Sequence, residues 1–558
     1  MKMPVRQTPD SKRPLIAVLI VAASIIVIHL FIRPIMPIDE TRYISVAWEM
    51  WQSGNWLVPH ENGQPYAHKP PLLFWLINLA WSVTGVHEWS ARSMIPLCSL
   101  ANFVLLYYFA KALLPKSPKT AMLAPAVLLA SAVWLFYLPT TMFDLLLTLW
   151  VLAFCLAIVH GSQHNYWRHW LLAAVMFAAG LLTKGPVMLL YCLPFVGLYP
   201  LWRQPNSVQT RRFWGYCGSA IGLGIVLMLL WVIPAVIHGG PSYENELLWK
   251  QTSGRMVNSF AHARPFYWYV LLLPLLIMPL PLLRSFWRGV RQPQSAVDRA
   301  LLLHLVSLVL VFSLISGKQI HYMIPLMPFA ALWIAHRLPL LQLREWYLTS
   351  LLLVLAATTL SMPMWLPYAF KSVTAPHSWY GLGLIPLALA SLALMRNRQH
   401  SAATLTVQLL LLPIALTATL SALTPVLQHA YNIEPIAKSL AHYQHQGKTL
   451  VSWNRYHNQF GFYGRLQQPL IDLTEQTQSR LQWAESHPNS LVLVTERHPN
   501  PRWFDVALEH QVYRGRQLFI VRAADLVDEM RQLVANTSAP TNVATSPYCH
   551  KDCLTLAE

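Results

Sequence analysis

Residues 70–84 read PPLLFWLINLAWSVT, and whether they cross a membrane decides the topology of the whole chain. A helix needs roughly 20 apolar residues to span a bilayer. This stretch is therefore either a short span or a helix lying at the interface. Thirteen other apolar runs surround it, at about 15–32, 91–110, 120–138, 145–159, 171–183, 186–201, 215–237, 266–283, 300–316, 323–336, 346–366, 379–395 and 402–423. They are Leu-rich and continuous rather than alternating, which selects helices over a closed barrel.

The basic residues decide between the two readings. If 70–84 does not cross, one side of the membrane carries the N-terminus and every second loop. Those hold Lys111, Lys116, Lys119, Arg168, Arg203, Arg211, Arg212, Arg284, Arg288, Arg291, Arg299, Arg337, Arg344, Arg396 and Arg398, 19 basic residues with the N-terminal four. The other side has 10 before the C-terminal region: Arg33, Arg42, Lys69, Arg92, Lys184, Lys250, Arg255, Arg264, Lys318 and Lys371. The positive-inside rule puts the first side in the cytoplasm. A crossing at 70–84 would break the rule in nearly every later loop. The expected topology is thus about thirteen spans, N-terminus cytoplasmic and C-terminus outside.

Composition agrees. Of 558 residues 55% are hydrophobic and 11% charged, with mean hydropathy +0.39. Soluble domains carry roughly 25% charged residues, so this surface faces lipid. The net charge of +18 reads as topological flanking, not as a nucleic-acid footprint. The first run follows Lys2, Arg6, Lys12 and Arg13 without a small-residue cleavage site, and reads as an uncleaved helix.

The expected domains are a transmembrane unit over 1–425, a small α/β domain over 430–535 and a flexible tail over 536–558. In the α/β domain, strand-like runs at Thr449–Trp453, Ser490–Thr495 and Gln517–Arg522 alternate with helix-like stretches at Ile433–Gln446 and Thr474–His487. Cys98, Cys155, Cys192 and Cys217 lie in or beside apolar runs. Cys549 and Cys553, flanking His550, suit a local disulfide or no role at all rather than a metal or redox site.

Ionisable residues gather in the loops on the outer side. PIDETRY (37–43) brings Asp39, Glu40 and Arg42, and PYAHKPP (65–71) brings Tyr66, His68 and Lys69. TTMFD ends at Asp144, TKGP (183–186) holds Lys184, GRMVNSFAHARPFYWY (254–269) holds Arg255 and His262, and GKQIHY (317–322) holds Lys318 and Tyr322. Charges at membrane depth are costly and mark function. Arg and Lys suit phosphate, and a carboxylate beside them can orient a nucleophile, act as base or hold a metal. Together they suit a transferase whose donor is a polyprenyl phosphate in the bilayer. No nucleotide-binding motif of the Walker or dinucleotide type is present.

PIDETRY, PY-x-x-KPP, LTKGPV (182–187), the HARPFYWY block and K-x-x-x-Y in their order resemble the lipid A aminoarabinose transferases. These are polyprenyl-phosphate-dependent membrane glycosyltransferases of the GT-C fold, related to protein O-mannosyltransferases. The resemblance covers roughly residues 30–330. It implies an inverting transfer of 4-amino-4-deoxy-L-arabinose from undecaprenyl phosphate to lipid A phosphates, at the periplasmic face of the bacterial inner membrane.

It implies Asp39 and Asp144 as the catalytic acids. Arg42, Lys69 and Tyr322 would lie at the carrier phosphate, with Tyr66 and Lys318 beside them, and Glu40, Arg255 and Lys184 elsewhere in the cavity. His262 falls where the family's metal-binding histidine is expected. The family's usual Glu-Lys-Pro-Pro is here His68-Lys69-Pro70-Pro71, so a His68/His262 site for a divalent metal such as zinc is the corresponding expectation. The change alters the charge of the site by one unit and keeps open a relative that moves another sugar or uses a protein or other lipopolysaccharide acceptor. A transporter is the further alternative, but no internal repeat is visible and the charges cluster on one face. A purely structural membrane protein has no need of five converging ionisable loops.

Overall fold

A computed structural model describes residues 12–249, 263–282, 284–337, 346–370, 375–396, 402–474, 477–499, 501–527 and 531. The chain forms two compact units, Met1–Asn432 with His457–Gln467, and Ile433–Tyr456 with Gln468–Glu558.

The first unit is helical. It opens with α1 (Arg13–Ile32), α2 (Asp39–Ser53), a two-stranded hairpin β1 (His60–Glu61) and β2 (Gln64–Pro65), α3 (Leu72–Thr84) and α4 (Glu88–Leu113). There follow α5 (Pro118–Leu129), α6 (Ala132–Tyr137), α7 (Phe143–His164), α8 (Trp167–Lys184), α9 (Val187–Gly197), α10 (Tyr199–Trp202) and α11 (Thr210–Asn245). Then come α12 (Trp268–Leu276), α13 (Arg284–Val290), α14 (Ala296–Leu314), a 3₁₀ segment (Ile320–Leu326), α15 (Met327–Arg337), α16 (Trp346–Phe370), α17 (Tyr380–Arg396), α18 (Ala402–Ala422) and α19 (Thr424–Tyr431).

Among the described residues seven helices are long and apolar enough to cross a membrane: α1, α4, α7, α11, α14, α16 and α18. The chain is a multi-pass membrane protein. The other expected spans meet shorter or interrupted helices: 120–138 is divided between α5 and α6, 186–201 between α9 and α10, and 323–336 between the 3₁₀ segment and α15, while within 266–283 α12 covers Trp268–Leu276. The deciding stretch, 70–84, forms α3. Its 13 residues rise about 20 Å at 1.5 Å each, against a hydrocarbon core of about 30 Å.

The helices bury one stripe and leave apolar residues outward, the pattern of a lipid-facing bundle. On α1, Val18, Ala22, Ile25 and Ile26 are buried while Ile20 and Phe31 remain 61% and 75% exposed. Without water the helices associate by close packing, so small residues sit at contacts. Gly224 on α11 shows this: a Cβ there would stand 2.8 Å from the Ala174 carbonyl of α8.

The second unit is a five-stranded sheet of order β4-β3-β5-β7-β6, from β3 (Leu450–Ser452), β4 (Ile471–Asp472), β5 (Leu491–Glu496), β6 (Glu509–Tyr513) and β7 (Arg516–Arg522). β3 runs parallel to β4 and β5, and β7 antiparallel to β5 and β6. Helices α20 (Glu434–His445) and α22 (Thr477–Ser486) occupy the two expected helical stretches. Val492, Val494, Phe519 and Val521 form its core with Ala484. The stretch between β3 and β4, containing the short α21 (Gly461–Gly464), packs with the helical unit. Residues 536–558, the expected tail with Cys549 and Cys553, lie outside the described residues.

Candidate active site

The first loop is anchored by a buried acid. Glu40 at the start of α2 is 2% exposed. Arg33, just past α1, donates to it as a fork at 2.6 and 3.0 Å. The backbone amides of Met36 and Thr141 donate to the same carboxylate at 2.9 and 2.6 Å. Arg33 also donates to the Pro139 carbonyl, and Arg92 of α4 donates to the Arg33 carbonyl. Burial by itself lifts a carboxyl's pKa, but Arg33, Arg92 and the Thr141 amide together outweigh it and hold Glu40 below the usual range. Glu40 thereby ties the start of α2 to the loop before α7, so the two expected catalytic acids are presented from one frame.

Asp39 precedes Glu40 and faces the other way, its side chain 41% exposed. One oxygen accepts from Arg42 Nη2 at 2.5 Å and from the Tyr43 hydroxyl at 3.3 Å. The i, i+3 and i+4 spacing puts all three on one helix face. The Tyr43 ring packs edge-on against Phe143 at 4.8 Å, and Phe143 in turn meets Phe74 of α3, which meets Tyr66.

Asp144, in the first turn of α7, is 1% exposed. Lys184, the last residue of α8, donates to Oδ1 at 2.5 Å, and His321 Nε2 lies 3.9 Å from Oδ2. Gly185 follows Lys184 at φ +69° and Pro186 comes next, so the helix stops where the ammonium must reach the acid. The Lys184 ammonium also sits 4.7 Å over the Tyr322 ring. Tyr191 donates to the Tyr322 carbonyl at 2.6 Å and Tyr269 to the Gln319 carbonyl at 3.1 Å, fixing the 3₁₀ segment that carries His321 and Tyr322. Burial pushes the His321 imidazole below its ordinary value, against the pull of Asp144; Lys184, Asp39 and Lys69 are near enough for their charges to act on it.

The hairpin delivers the remaining residues. Tyr66 follows β2 and is 3% exposed. The Lys69 ammonium lies 5.8 Å over the ring of Phe143, the neighbour of Asp144. Lys318 is also buried, and it donates to the carbonyls of Arg264 at 3.1 Å and Ile315 at 2.5 Å. It therefore spends two of its three donors on backbone, which pins the two loops to each other.

Arg255 and His262 lie outside the described residues. His68 has Glu246 at 3.7 Å. A zinc site takes at least three protein ligands, and among the described residues no group of three His, Cys, Asp or Glu is placed to hold a metal. His68 and Glu246 alone do not complete one.

Asp39, Arg42, Lys69, Asp144, Lys184 and Tyr322 thus share one neighbourhood. Arg33, Tyr43, Tyr191, Tyr269 and His321 belong to it without having been singled out. His321 stood in GKQIHY beside Tyr322, but neither spacing nor composition marked it.

A family model described as dolichyl-phosphate-mannose-protein mannosyltransferase matches residues 68–231. Curated proteins named undecaprenyl phosphate-alpha-4-amino-4-deoxy-L-arabinose arabinosyl transferase are similar in sequence. The one from Pectobacterium carotovorum subsp. carotovorum is 29% identical over 359 residues, 62% of this chain and 61% of that one. The one from Pseudomonas savastanoi pv. phaseolicola is 31% identical over 307 residues, 53% and 55% of the two chains. The chain thus spans about half to three-fifths of the length of the curated relatives it matches. The crystal structure of ArnT from Cupriavidus metallidurans bound to undecaprenyl phosphate superposes with a TM-score of 0.72 at 17% identity, covering 91% of this chain and 98% of that one. The chain has the ArnT fold. That fold is the GT-C architecture expected from the motifs, and its likeness to ArnT extends well beyond the sequence matches.

Proposed function

We propose that this chain is an inverting membrane glycosyltransferase that moves 4-amino-4-deoxy-L-arabinose from undecaprenyl phosphate to a phosphate of lipid A. The reaction would take place at the periplasmic face of the bacterial inner membrane. In this reading the N-terminus is cytoplasmic, the α/β unit periplasmic, and the count of about thirteen spans follows the basic loops. The partners are the lipid-linked donor, lipid A and membrane lipids, with no nucleic acid. The observation that carries the reading is the solvent-facing Asp39 carboxylate held on Arg42, beside Lys69 and the buried Asp144–Lys184 pair.

The acceptor phosphate is anionic at neutral pH and needs no strong base. Its oxygen attacks the anomeric carbon; the bond from that carbon to the carrier phosphate breaks, and the electron pair leaves with undecaprenyl phosphate. One displacement inverts the centre. Arg42 and Lys69 stabilise the charge growing on the leaving phosphate, with Tyr66 and Tyr322 as hydroxyl donors. Preorganised donors of this kind are worth about 2.7–4 kcal/mol each. Asp39 faces the positive charge on the sugar carbon or orients the acceptor. Asp144 holds Lys184 and His321 in place, and Lys318 and Glu40 hold the loops. Arg255 is a further cavity residue only by the family resemblance. A zinc ion at His68 and His262 would add a further cation for phosphate; no step depends on it here.

The test is mass spectrometry of lipid A from cells with and without the chain, beside Asp39→Ala. A phosphate-linked pentosamine present only with the intact chain is the expected result. Retained transfer by a well-expressed Asp39→Ala variant would remove Asp39 from the mechanism. A second reading, a related transferase for another sugar or a protein acceptor, is favoured by His68 where the family usually has Glu, and by the description of the family model. Unchanged lipid A under donor-producing conditions, with new glycan on protein, would select it.

A further inference from the structure

Glu49 lies on α2 ten residues beyond Asp39, and its carboxylate gathers three donors from two distant segments. The amides of Asn62 and Gly63 donate to it at 2.7 and 2.9 Å. The third donor is the side-chain amide of Asn458, itself 3% exposed.

Asn62 and Gly63 form the turn of the β1–β2 hairpin, with φ of 53° and 76°. Successive amides in a turn can form an anion-binding concavity, and here the Asn62 and Gly63 amides both turn to Glu49. The strands are two residues long and pair only His60 with Pro65 and Glu61 with Gln64. A hairpin so short is not stable alone, so its position depends on what holds the turn. The chain leaving it runs directly through Tyr66, His68 and Lys69, and Glu61 on β1 is within electrostatic reach of Arg42.

Asn458 belongs to the segment 457–467, drawn from between β3 and β4 but built into the helical unit. Phe462 donates its amide to Ser45 Oγ at 3.0 Å, and Trp48 Nε1 donates to the Leu466 carbonyl at 3.2 Å. Arg465 stacks 3.8 Å over Phe462 and donates to the Val86 carbonyl, while Phe462 lies parallel to Trp81 at 5.4 Å. Ser45, Trp48 and Glu49 lie on one side of α2, and Arg42, three residues before Ser45 and seven before Glu49, is on the same side by helical spacing. Gly461 fits against Asn458 so closely that a Cβ would collide with its amide.

We infer that Glu49 and Asn458 are positioning residues: through them, segment 457–467 clamps the hairpin that presents Tyr66 and Lys69 to the carrier phosphate. The inference rests on the reading of the site as a carrier-phosphate site. It gives a stretch from amid the α/β strands a direct part in holding the donor, through Glu49 rather than by touching substrate.

The test uses the purified full chain, its Asn458→Ala, Gly461→Ala and Glu49→Gln variants, undecaprenyl phosphate as binding probe and hydrogen exchange of the Asn62 and Gly63 amides. The expected result is a rise of about tenfold in donor KM and in the dissociation constant for undecaprenyl phosphate. kcat at saturation should stay within about twofold, and the two amides should exchange faster. A merely structural role would lower the amount of active enzyme and leave KM unchanged, and that result overturns the inference. If the wild-type chain neither transfers sugar nor binds the carrier, the function reading fails. The exchange measurement then decides the clamp alone, and unaltered protection of Asn62 and Gly63 in Asn458→Ala overturns it.

Discussion

Asp144 and Lys184, 40 residues apart on α7 and α8, meet at 2.5 Å with 2% and 10% of their side chains exposed. A charge this deep persists only because it is paired, so the pair must form whenever the bundle forms.

Lys184→Met should cost about 3–5 kcal/mol by leaving the carboxylate buried without its cation. Asp144→Asn combined with Lys184→Met should recover most of that stability and still transfer no sugar. Thermal unfolding in detergent checks the first part and a transfer assay the second. A single Lys184→Met variant as stable as wild type would contradict the pairing.

Glu40 sets an acid limit on the fold. Its folded pKa lies below the ordinary carboxylate value of about 4.3, because Arg33, Arg92 and the Thr141 amide together outweigh burial. The stability it contributes is complete above that ordinary value and lost as pH falls through the lower folded one. Glu40→Gln should therefore lower the Tm at neutral pH, with the gap to wild type narrowing below about pH 4. A gap that stays constant to pH 3 would show that Glu40 is not ionised in the native state.

His321 acts with the same sign, in a higher pH window. Its folded pKa is depressed, chiefly by burial, so the unfolded chain takes up a proton first as pH falls below about 6.5. Stability then drops until the folded value is reached. His321→Gln should flatten that part of the Tm-against-pH curve, with Tm measured in steps from pH 7 downward. An unchanged slope would place the acid sensitivity elsewhere.

Arg42→Lys keeps the charge but loses the planar fork that can hold Asp39 and a phosphate together. kcat/KM should fall by about 10–100-fold with expression unchanged. Activity equal to wild type would mean that Arg42 supplies only a diffuse field.

Much of this architecture could be read from the chain before any coordinates. Lipid-facing helices must be apolar all round, so the spans announce themselves as long runs, and basic loops mark one side. The strands at 450–452, 491–496 and 516–522 were visible as apolar runs between polar stretches. β4 and β6 were not, because two residues make no pattern and β6 is an edge strand with mostly polar residues.

In the site, Asp39 and Arg42 could be paired from helical spacing alone. His321 could not be joined to Asp144, since no local periodicity links residues 177 positions apart. Lys318 shows the converse: a lysine in an outer loop suggests phosphate, yet its ammonium reaches two backbone carbonyls.

Local chemistry therefore accounts for the spans, the proposed sidedness, the strands of the second unit and the inventory of charged side chains, because hydropathy and short-range spacing act along the chain. Partnership was decided by the fold. Glu40 became a strut and Asp39 an open carboxylate only when Arg33 and the Thr141 amide arrived from other segments. Asn458 reached Glu49 across 409 positions. Such pairings depend on which helices pack together, and that is settled by side-chain shape throughout the bundle, not by any motif.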